Sequence, residues 1–508
     1  MTYDFVITTD RTMMSNHHGK EFIGFLATGP SFFLPERIWY YICCPKPKVD
    51  SEGRPVEAPY GLRKIEASLM DSGYSAAIID PDYIGRHVKG AKAVLIGHHD
   101  FFAYGPPSSE WWLITGREPV NRKSFMRFMK RVASLKRRYG FKVIVGGPAA
   151  WQWLWEPDLW SEWGVDTVVD GEGEVVVKRL AKIVVEGGEL PKYVYVGPRD
   201  VPSIEEIPAI KGASVNGLIE VMRGCPRGCK FCSVTLRPLR FIPYEKIEEE
   251  ILVNVRNGVE NGIIHSEDVL LYGAKGVIPQ EGPLLRLHEL FLKHFKSVAW
   301  AHASLAAIVA AERGGRLVTR ITDMIYSRTG QEYLGVEVGI ETGSVKLAKA
   351  IMPAKAAPFP ADKWPEIVEE AFSIMHERRI IPAATFILNF PGEEPDDVVA
   401  TTELIDRLRP YRSLIVPMFF VPMGGLKGEK KVIARVRVTR EHVDALMASL
   451  RHTSYWAKDI MERFYMKEKV YTPIRKLLEY FVDQVVKKAE GVVEGLKEFK
   501  YKELTIER

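Results

Sequence analysis

Cysteine is scarce in this chain of 508 residues, which contains five of them, and long apolar runs are missing. So few thiols, two of them adjacent at Cys43 and Cys44, do not make a disulfide framework, which predicts a reducing compartment. The nearest candidate for a membrane span, residues 299–311, is short and interrupted by His302 and Ser304. The N-terminus lacks the basic and apolar regions of a signal peptide. We therefore expect a cytoplasmic protein.

An excess of one charge is also absent, because 70 Lys and Arg residues stand against 65 Asp and Glu residues. A balance this close to neutral predicts no stable binding of nucleic acid. The basic stretch KRVASLKRRYG fits the solvated face of a helix. At 46% hydrophobic residues, the chain has enough apolar material for several large cores.

Short apolar runs alternate with amphipathic segments along most of the chain. Runs such as YDFVITT, AKAVLIG and FKVIVGG predict an α/β fold that begins with a Rossmann-like parallel sheet over residues 1–205. A proline-rich connection, residues 189–210, leads to the same alternation in residues 206–425, which predicts a partial (β/α) barrel. Residues 426–508 predict a helical cap. Its last helix carries an apolar stripe at helical spacing: Ile474, Leu477, Leu478, Phe481, Val482 and Val485.

Three of the five cysteines lie within eight residues, in the segment GCPRGCKFC. Cys225, Cys229 and Cys232 are too few for a closed structural zinc site, which needs four ligands, and the other two thiols are far upstream. The alternative is an iron–sulfur cluster held by three thiolates, with one iron open to a substrate or cofactor. Gly224 and Gly228 would let the loop wrap closely around such a cluster.

The cysteine segment, with an aromatic residue before its third cysteine, resembles the signature of the radical S-adenosylmethionine (SAM) superfamily. The segments HSEDVLLY, GVEVGIETGS and ATFILNFPGEEPDD follow in that family's order. The resemblance implies a [4Fe-4S] cluster on the three cysteines, SAM on the open iron, and a 5′-deoxyadenosyl radical formed on one-electron reduction. It also implies an external electron donor of the flavodoxin or ferredoxin type.

The same resemblance assigns side chains to the binding of SAM but none to catalysis. Glu267, like Asp268 beside it, follows the second barrel strand, and Asn389 stands where relatives commonly have glycine. The residues expected to bind SAM are Phe231, Glu267, Glu341, Asn389, Pro391 and Gly392.

The segments APYGLRKIEASLMDSGY, VIVGGPAAWQW and VDTVVDGEGE resemble the cobalamin-binding domain that precedes many radical SAM domains. Glycine turns let backbone approach a large flat ligand, although they equally serve tight turns in a sheet. The turn glycines expected to bind cobalamin are Gly146, Gly147, Gly171 and Gly173. The D-x-H-x-x-G motif of mutases is absent, so the axial ligand candidates are His17, His18, His98 and His99. Ordinary polar roles remain the alternative for all four.

Three functions follow from these patterns. The leading hypothesis is cobalamin-dependent methyl transfer to an unactivated carbon of a small molecule. The second is radical cyclisation or cross-linking of a lipid-like substrate. For it, the aromatic segment SFFLPERIWYYICCP and the C-terminal helices would make peripheral contact with the inner membrane surface. The third is a non-catalytic metal-binding scaffold. The tRNA methylthiotransferases resemble the chain loosely, but the second cysteine triplet that they carry upstream is absent here.

Overall fold

The computed structural model describes residues 2–19, 21–31, 34–421, 435–495 and 501–505. They form two compact units. Unit 1 comprises residues 1–219 and 242–262, and unit 2 comprises residues 220–241 and 263–508. The predicted domain boundary at residue 205 remains a prediction, and the one at residue 425 lies outside the described residues.

Unit 1 alternates strands and helices as its sequence predicts. Its elements are β1 (Phe5–Thr8), α1 (Arg11–Met14), α2 (Glu21–Ala27), α3 (Glu36–Cys43), β2 (Glu57–Ala58), α4 (Tyr60–Asp71), β3 (Ala76–Ile78), α5 (Ile84–His87), β4 (Ala93–Gly97), α6 (Ser108–Thr115), α7 (Val120–Tyr139), β5 (Lys142–Gly146), α8 (Pro157–Glu162), β6 (Thr167–Asp170), α9 (Glu174–Val185), β7 (Tyr193–Tyr195), β8 (Ala213–Ser214) and, after the chain returns, α10 (Tyr244–Arg256).

Six of these strands form one parallel sheet in the order β3-β1-β4-β5-β6-β7. The strands are buried apolar runs, and helix α4 covers the sheet with Leu62 and Leu69, which are both buried. The predicted Rossmann-like sheet is therefore confirmed. The edge strand β7 lies within the stretch predicted as a connection, because three residues flanked by prolines carry too little periodicity to predict a strand.

Unit 2 repeats the alternation around a partial barrel. The strands and helices that compose or adjoin it are β9 (Leu218–Glu220), β10 (Met222–Arg223), β11 (Arg240–Phe241), β12 (Asn261–His265), α11 (Glu281–His294), β13 (Ser297–Trp300), α12 (Leu305–Arg313), α13 (Leu317–Thr329), β14 (Leu334–Glu341), α14 (Val345–Ile351), α15 (Trp364–Glu377), β15 (Ile380–Leu388), α16 (Pro395–Arg407), β16 (Leu414–Phe419), β17 (Arg435–Thr439), α17 (Arg440–Ile460), α18 (Thr472–Gly495) and β18 (Tyr501–Thr505).

Two three-stranded sheets compose the barrel, in the orders β13-β12-β9 and β14-β15-β16. The second sheet is parallel throughout, and a single parallel bridge between His302 and Glu337 joins the two. Strand β13 is absent from the sequence prediction because its four residues run into the apolar stretch that forms α12. The partial barrel itself is confirmed.

The two long C-terminal helices predicted from periodicity are α17 and α18, and α17 packs on α16 and β16. An antiparallel ribbon of β17 and β18 accompanies them, which the sequence did not indicate. Most residues of the predicted apolar stripe in α18 have side chains that lie outside the described part of the structure. These are Ile474, Leu477, Phe481 and Val485. Among the described helices, none combines the length and apolarity that crossing a membrane requires.

Candidate functional site

The predicted site residues of unit 2 lie where barrel strands end. The cysteine loop follows β10, a two-residue strand that comes directly after the barrel strand β9. Glu267 follows β12, Glu341 closes β14 and Asn389 follows β15. Ligands of parallel α/β folds bind at this edge, because loops there are free to vary while the strands hold them in place. The fold thus gathers at one edge residues that are far apart in the sequence.

The cysteine loop owes its course to two glycines with left-handed backbone. Gly224 has φ +82°, and a Cβ there would lie 2.5 Å from the carbonyl oxygen of Pro238, so no other residue fits. Gly228 has φ +64° with open space around it. Cys229 is buried, Cys225 and Cys232 are partly buried, and all three thiols are free. The loop therefore holds three separate thiols in a water-poor setting.

Burial raises the pKa of Cys225 to about 12 and that of Cys229 to about 11, and it raises the pKa of Cys232 as well. The thiols are thus neutral near pH 7 unless a metal displaces their protons, as coordination does. Within the described residues, no three His, Cys, Asp or Glu side chains converge on a single ion. Ligands to different irons of one cluster need not converge in that way, so the three thiols fit a cluster.

Backbone and side-chain contacts fasten the cysteine loop to the end of α14 and to the segment that follows it. The Lys230 amide donates to the carbonyl oxygen of Ile351 at 2.9 Å, and its Nζ donates to that of Ala350 at 2.6 Å. Nη1 of Arg227 donates to the carbonyl oxygens of Lys355 and Ala357 at 2.9 and 2.7 Å. The loop and residues 350–357 therefore form one fixed assembly.

Arg227 and Asp268 form a buried pair that leaves polar atoms without hydrogen bonds. Nε of Arg227 lies 3.5 Å from Oδ2 of Asp268, which also accepts from the Ser304 hydroxyl. Nε and Nη2 of Arg227 and Oδ1 of Asp268 have no hydrogen-bond partner in the structure. Burial raises the pKa of Asp268, against the opposing charge of Arg227. Orphaned buried donors beside the cysteines fit a group whose sulfurs accept hydrogen bonds.

Glu341 is buried with φ +62°, and it forms an ion pair with Lys355. Burial by itself would lower the pKa of Lys355, but the charge of Glu341 and the nearby Cys229 and Cys232 outweigh it and raise that pKa. The sequence singles out Glu341 but not Lys355. The stretch MPAKAAP carries no signal that its lysine turns back toward a strand end.

Phe231 and the end of β15 come together. The centroid of the Phe231 ring lies 5.5 Å from that of the Phe390 ring. In the sequence, Phe390 stands between the predicted residues Asn389 and Pro391. Asn389 has φ +64°, a conformation that asparagine tolerates and glycine prefers, and its Nδ2 is buried without a hydrogen-bond partner. Gly392 also has positive φ, at +80°. The contact of Phe231 with Phe390 thus brings the residue before the third cysteine next to the segment that follows β15. The binding of SAM by Phe231, Asn389, Pro391 and Gly392 stays a prediction.

Burial also raises the pKa of Glu267, which faces the charges of His302 and Arg237. The negative charge of Glu267 also raises the pKa of Cys232. Glu267 thus lies within electrostatic reach of Cys232, and its role in binding SAM stays a prediction.

The inner face of the barrel along β14 is polar and open to water. Along β14, Leu334, Val336, Val338 and Ile340 are buried on one side, whereas Gly335, Glu337 and Gly339 on the other are partly exposed. Nε2 of His302 lies 3.0 Å from Oε2 of Glu337, and these side chains are 42% and 38% exposed. His265 lies next to His302, and burial together with the charge of His302 lowers its pKa to about 4. No motif in the sequence marks this histidine and carboxylate pair.

At the corresponding edge of the unit 1 sheet, Asp10 and His98 are buried and fully paired. Nε2 of His98 lies 2.9 Å from Oδ1 of Asp10, and its Nδ1 accepts from the Asp100 amide at 2.8 Å. With both ring nitrogens engaged, His98 does not fit a ligand to cobalt. Burial pushes the pKa of Asp10 upward, but the hydrogen bond and charge of His98 bring it down to about 2.

The other three histidines make looser contacts. Nδ1 of His17 lies 2.5 Å from the carbonyl oxygen of Cys43, and Nε2 of His18 lies 3.1 Å from that of Ile42. His99 is exposed, and its Nδ1 lies 2.7 Å from Sδ of Met13. The hydrogen-bond contacts of His17 and His99 are both made through Nδ1, and His99 is the more exposed of the two.

The turn glycines of unit 1 have packing reasons of their own. A Cβ on Gly147, with φ +117°, would lie 2.7 Å from the carbonyl oxygen of His98. One on Gly171, with φ +127°, would lie 2.8 Å from that of Val196. Gly146 and Gly173 would meet Val169 and Ile65 at 3.3 and 3.0 Å. The sheet therefore requires Gly147 and Gly171 whether or not a ligand lies above them, whereas the neighbours of Gly146 and Gly173 would need only a small adjustment.

Part of this chain is similar in sequence to known proteins. Residues 219–405 match the model of the Radical SAM superfamily, a range that contains the cysteine loop, Glu267, Glu341 and Asn389. Among curated proteins, the tRNA-2-methylthio-N(6)-dimethylallyladenosine synthase of Magnetococcus marinus is 24% identical over 220 residues, 41% of this chain and 46% of that protein. The synthase of the same name from Orientia tsutsugamushi is 23% identical over 208 residues, 39% of this chain and 42% of that protein. The chain spans less than half the length of these relatives.

Two solved structures share the fold over most of the chain. One is the radical SAM methyltransferase TsrM from Kitasatospora setae with cobalamin and a [4Fe-4S] cluster bound, with TM-score 0.53, 15% identity, and coverage of 84% of this chain and 77% of that one. The other is TsrM with tryptophan substrate and a SAM analogue, with TM-score 0.53, 14% identity, and coverage of 84% and 75%. At such identities the likeness concerns the fold.

Proposed function

We propose that residues 219–405, a radical SAM domain, hold a [4Fe-4S] cluster through Cys225, Cys229 and Cys232 and act on SAM bound beside it. The loop of three free thiols docked at the strand ends is the observation that carries this proposal. When bound, cluster and SAM supply a 5′-deoxyadenosyl radical after an external donor of the flavodoxin or ferredoxin type delivers one electron.

The surrounding residues have separate tasks in this proposal. In this proposal Nε and Nη2 of Arg227, which are unpaired, would donate to the cluster sulfurs, while its Nη1 holds residues 354–357 in place. Phe231 and Phe390 cover the site on one side, where the free amide of Asn389 can donate to SAM. Glu341 takes the ribose or the amino-acid part of SAM. Together they bind, orient and exclude water around the reacting groups.

The reaction we favour is cobalamin-dependent methyl transfer to an unactivated carbon. The unit 1 sheet, with its order β3-β1-β4-β5-β6-β7, supports it, as does the fold shared over 84% of the chain with a methyltransferase solved with cobalamin. Gly147 and Gly171 shape two turns at the sheet edge, and His99 is the histidine there that can approach cobalt. In this proposal unit 1 would hold cobalamin, which would supply methyl-transfer chemistry when bound.

The inner face of the barrel favours a polar substrate over a lipid tail. Glu337 and His302 are both partly exposed there, and Glu220 lies 2.7 Å from Arg223 close by. Covering such charges with a hydrocarbon chain would desolvate them without new hydrogen bonds, which costs several kcal/mol per ion. We therefore rank cyclisation of an apolar substrate below methyl transfer to a polar small molecule.

The deciding measurement is the content of corrin and iron after anaerobic purification and reconstitution. Near one corrin and four irons per chain, together with deoxyadenosine or S-adenosylhomocysteine formed from SAM, would support methyl transfer. Four irons without corrin would leave a radical SAM enzyme and remove cobalamin from the proposal. Iron binding without any turnover of SAM, under every reductant, would favour the non-catalytic scaffold.

A further inference from the structure

The segment that carries Lys355 is anchored to the cysteine loop, so its side chain has a fixed place beside the thiols. Arg227 donates to the carbonyl oxygens of Lys355 and Ala357 at 2.9 and 2.7 Å, and the Lys230 amide donates to that of Ile351 at 2.9 Å. These hydrogen bonds hold residues 351–357 against the cysteine loop. Movement of Lys355 away from the cysteines would break several of them at once.

The ammonium group of Lys355 points back to the end of β14, where it pairs with Glu341. Their side chains are 12% and 9% exposed. The pair occupies the room left by Gly339, since a Cβ there would lie 2.8 Å from Nζ of Lys355. Strand β14 thus has a glycine at the position where the buried ion pair needs space. This indicates that the pair is part of the architecture of the site rather than a chance contact between two long side chains.

The pair lies within the electrostatic reach of two of the three cysteines. The charge of Lys355 acts on Cys229 and Cys232, and Glu341 acts on Cys229 with the opposite sign. Charges that are shielded from water interact several times more strongly than they do in bulk solvent. Reduction of a cluster adds one negative charge at this place and changes no bond. The free energy of reduction must therefore depend on the charges of Lys355 and Glu341.

We propose that the Lys355–Glu341 ion pair sets the reduction potential of the cluster held by Cys225, Cys229 and Cys232. The ammonium group stabilises the reduced cluster, and the carboxylate opposes it. This inference rests on the proposed function, because it takes the cluster as bound. Lys355 is thus a positioning residue for charge, acting through the cluster rather than on the substrate, with the electron coming from the external donor.

The test is a redox titration of the anaerobically reconstituted full chain, followed by the electron paramagnetic resonance signal of the reduced cluster. We expect Lys355→Met to make reduction at least tenfold less favourable, which is a decrease of 59 mV for one electron. Glu341→Gln should shift the potential upward. The double variant, which removes both charges, should return close to the wild type.

Two matched variants separate charge from structure. Lys349→Met removes a cation from an exposed position of the neighbouring helix α14, where water screens it, and should leave the potential unchanged. Lys355→Arg keeps the charge and should stay near the wild-type value. If Lys355→Met fails to hold iron, Glu341→Gln and Lys355→Arg still decide the matter.

An unchanged potential in both single variants, or shifts in the same direction, would overturn the inference. Failure of the proposed function would look different, because then the wild type would not assemble four irons on its three cysteines. An upward shift in Glu341→Gln that Lys355→Met reverses in the double variant would support the inference through a measurement independent of turnover.

Discussion

Two buried polar clusters at the ends of parallel strands differ in how completely their atoms are paired. In unit 1, His98 uses both ring nitrogens, and Asp100 accepts from the Gly105 amide at 2.9 Å and from Nε2 of Gln152 at 2.6 Å. In unit 2, Arg227, Asp268 and Asn389 leave buried atoms without hydrogen bonds. Native proteins rarely leave such atoms orphaned. The pairing of His98 and Asp100 thus stabilises the first sheet, although Oδ1 of the neighbouring Asn121 is also without a partner. In the proposed function, the orphaned atoms of unit 2 face a bound group.

The largest expected effect is at the cysteine loop. Cys229→Ala should abolish the bound cluster, because two thiolates cannot replace three, and iron content and SAM turnover should both fall to background. Cys43→Ala is the matched control, since Cys43 is an equally buried thiol in unit 1, and it should keep its full iron content. Iron analysis and the visible absorption of the cluster measure both variants. Full activity in Cys229→Ala would refute the enzymatic proposal.

The paired cluster of unit 1 should respond in stability rather than in iron. His98→Ala leaves the carboxylate of Asp10 buried and uncompensated, which should lower the free energy of unfolding by about 3–5 kcal/mol. Denaturant unfolding measures this loss, with His18→Asn as the control at an exposed position that keeps a residue tolerant of its positive φ of 57°. Iron content should match the wild type in both. A His98→Ala protein of normal stability would show that the pair is not structural.

Removal of the cluster should make stability depend on pH in the alkaline range. The raised thiol pKa values, about 12 for Cys225 and about 11 for Cys229, mean that the folded chain keeps protons that the unfolded chain, with a thiol pKa near 8.5, gives up. The stabilisation is therefore complete below pH 8.5 and is lost as the pH rises toward 11 to 12. The expected slope is up to about 1.4 kcal/mol per pH unit for each thiol.

Urea unfolding of the iron-free protein from pH 8 to 10.5 measures this slope. Iron-free Cys229→Ala should show a smaller slope, because one of the thiols is gone. The cluster-loaded protein, whose thiolates have no proton left to lose, should lack this component. Equal slopes for the loaded and the iron-free wild type would contradict the burial of these thiols.

The sequence predicts the features that depend on local pattern. The buried runs of β1, β4 and β5 identify the first sheet, and the spacing of Cys225, Cys229 and Cys232 identifies the cluster loop. Asn389 stands where relatives commonly have glycine, and its φ of +64° is a conformation that glycine favours. Phe231 and the segment after β15 are both predicted to bind SAM, and their contact through Phe390 is compatible with that prediction.

What the sequence could not predict depends on contacts between distant segments. Lys355 meets Glu341 only because Arg227 and Lys230 fasten its segment to the cysteine loop. His302 and Glu337 become neighbours through a single bridge between two sheets. No local periodicity encodes either meeting. Local periodicity also does not encode the hydrogen bonds of His98. Because both of its ring nitrogens are engaged, His98 does not fit a ligand to cobalt.

The smallest expected effect tests the unpaired amide of Asn389. Asn389→Gly should raise the free energy of unfolding of the iron-free protein by up to about 1 kcal/mol, because glycine adopts a φ of +64° without strain. The same change removes the buried Nδ2 donor, so SAM should bind to the cluster-loaded protein about fivefold more weakly, the loss of one hydrogen bond. Arg316→Gly is the matched control, at an exposed residue with φ +55°. It should gain similar stability and keep its affinity, and calorimetry with SAM would reject the assignment if both variants bound SAM like the wild type.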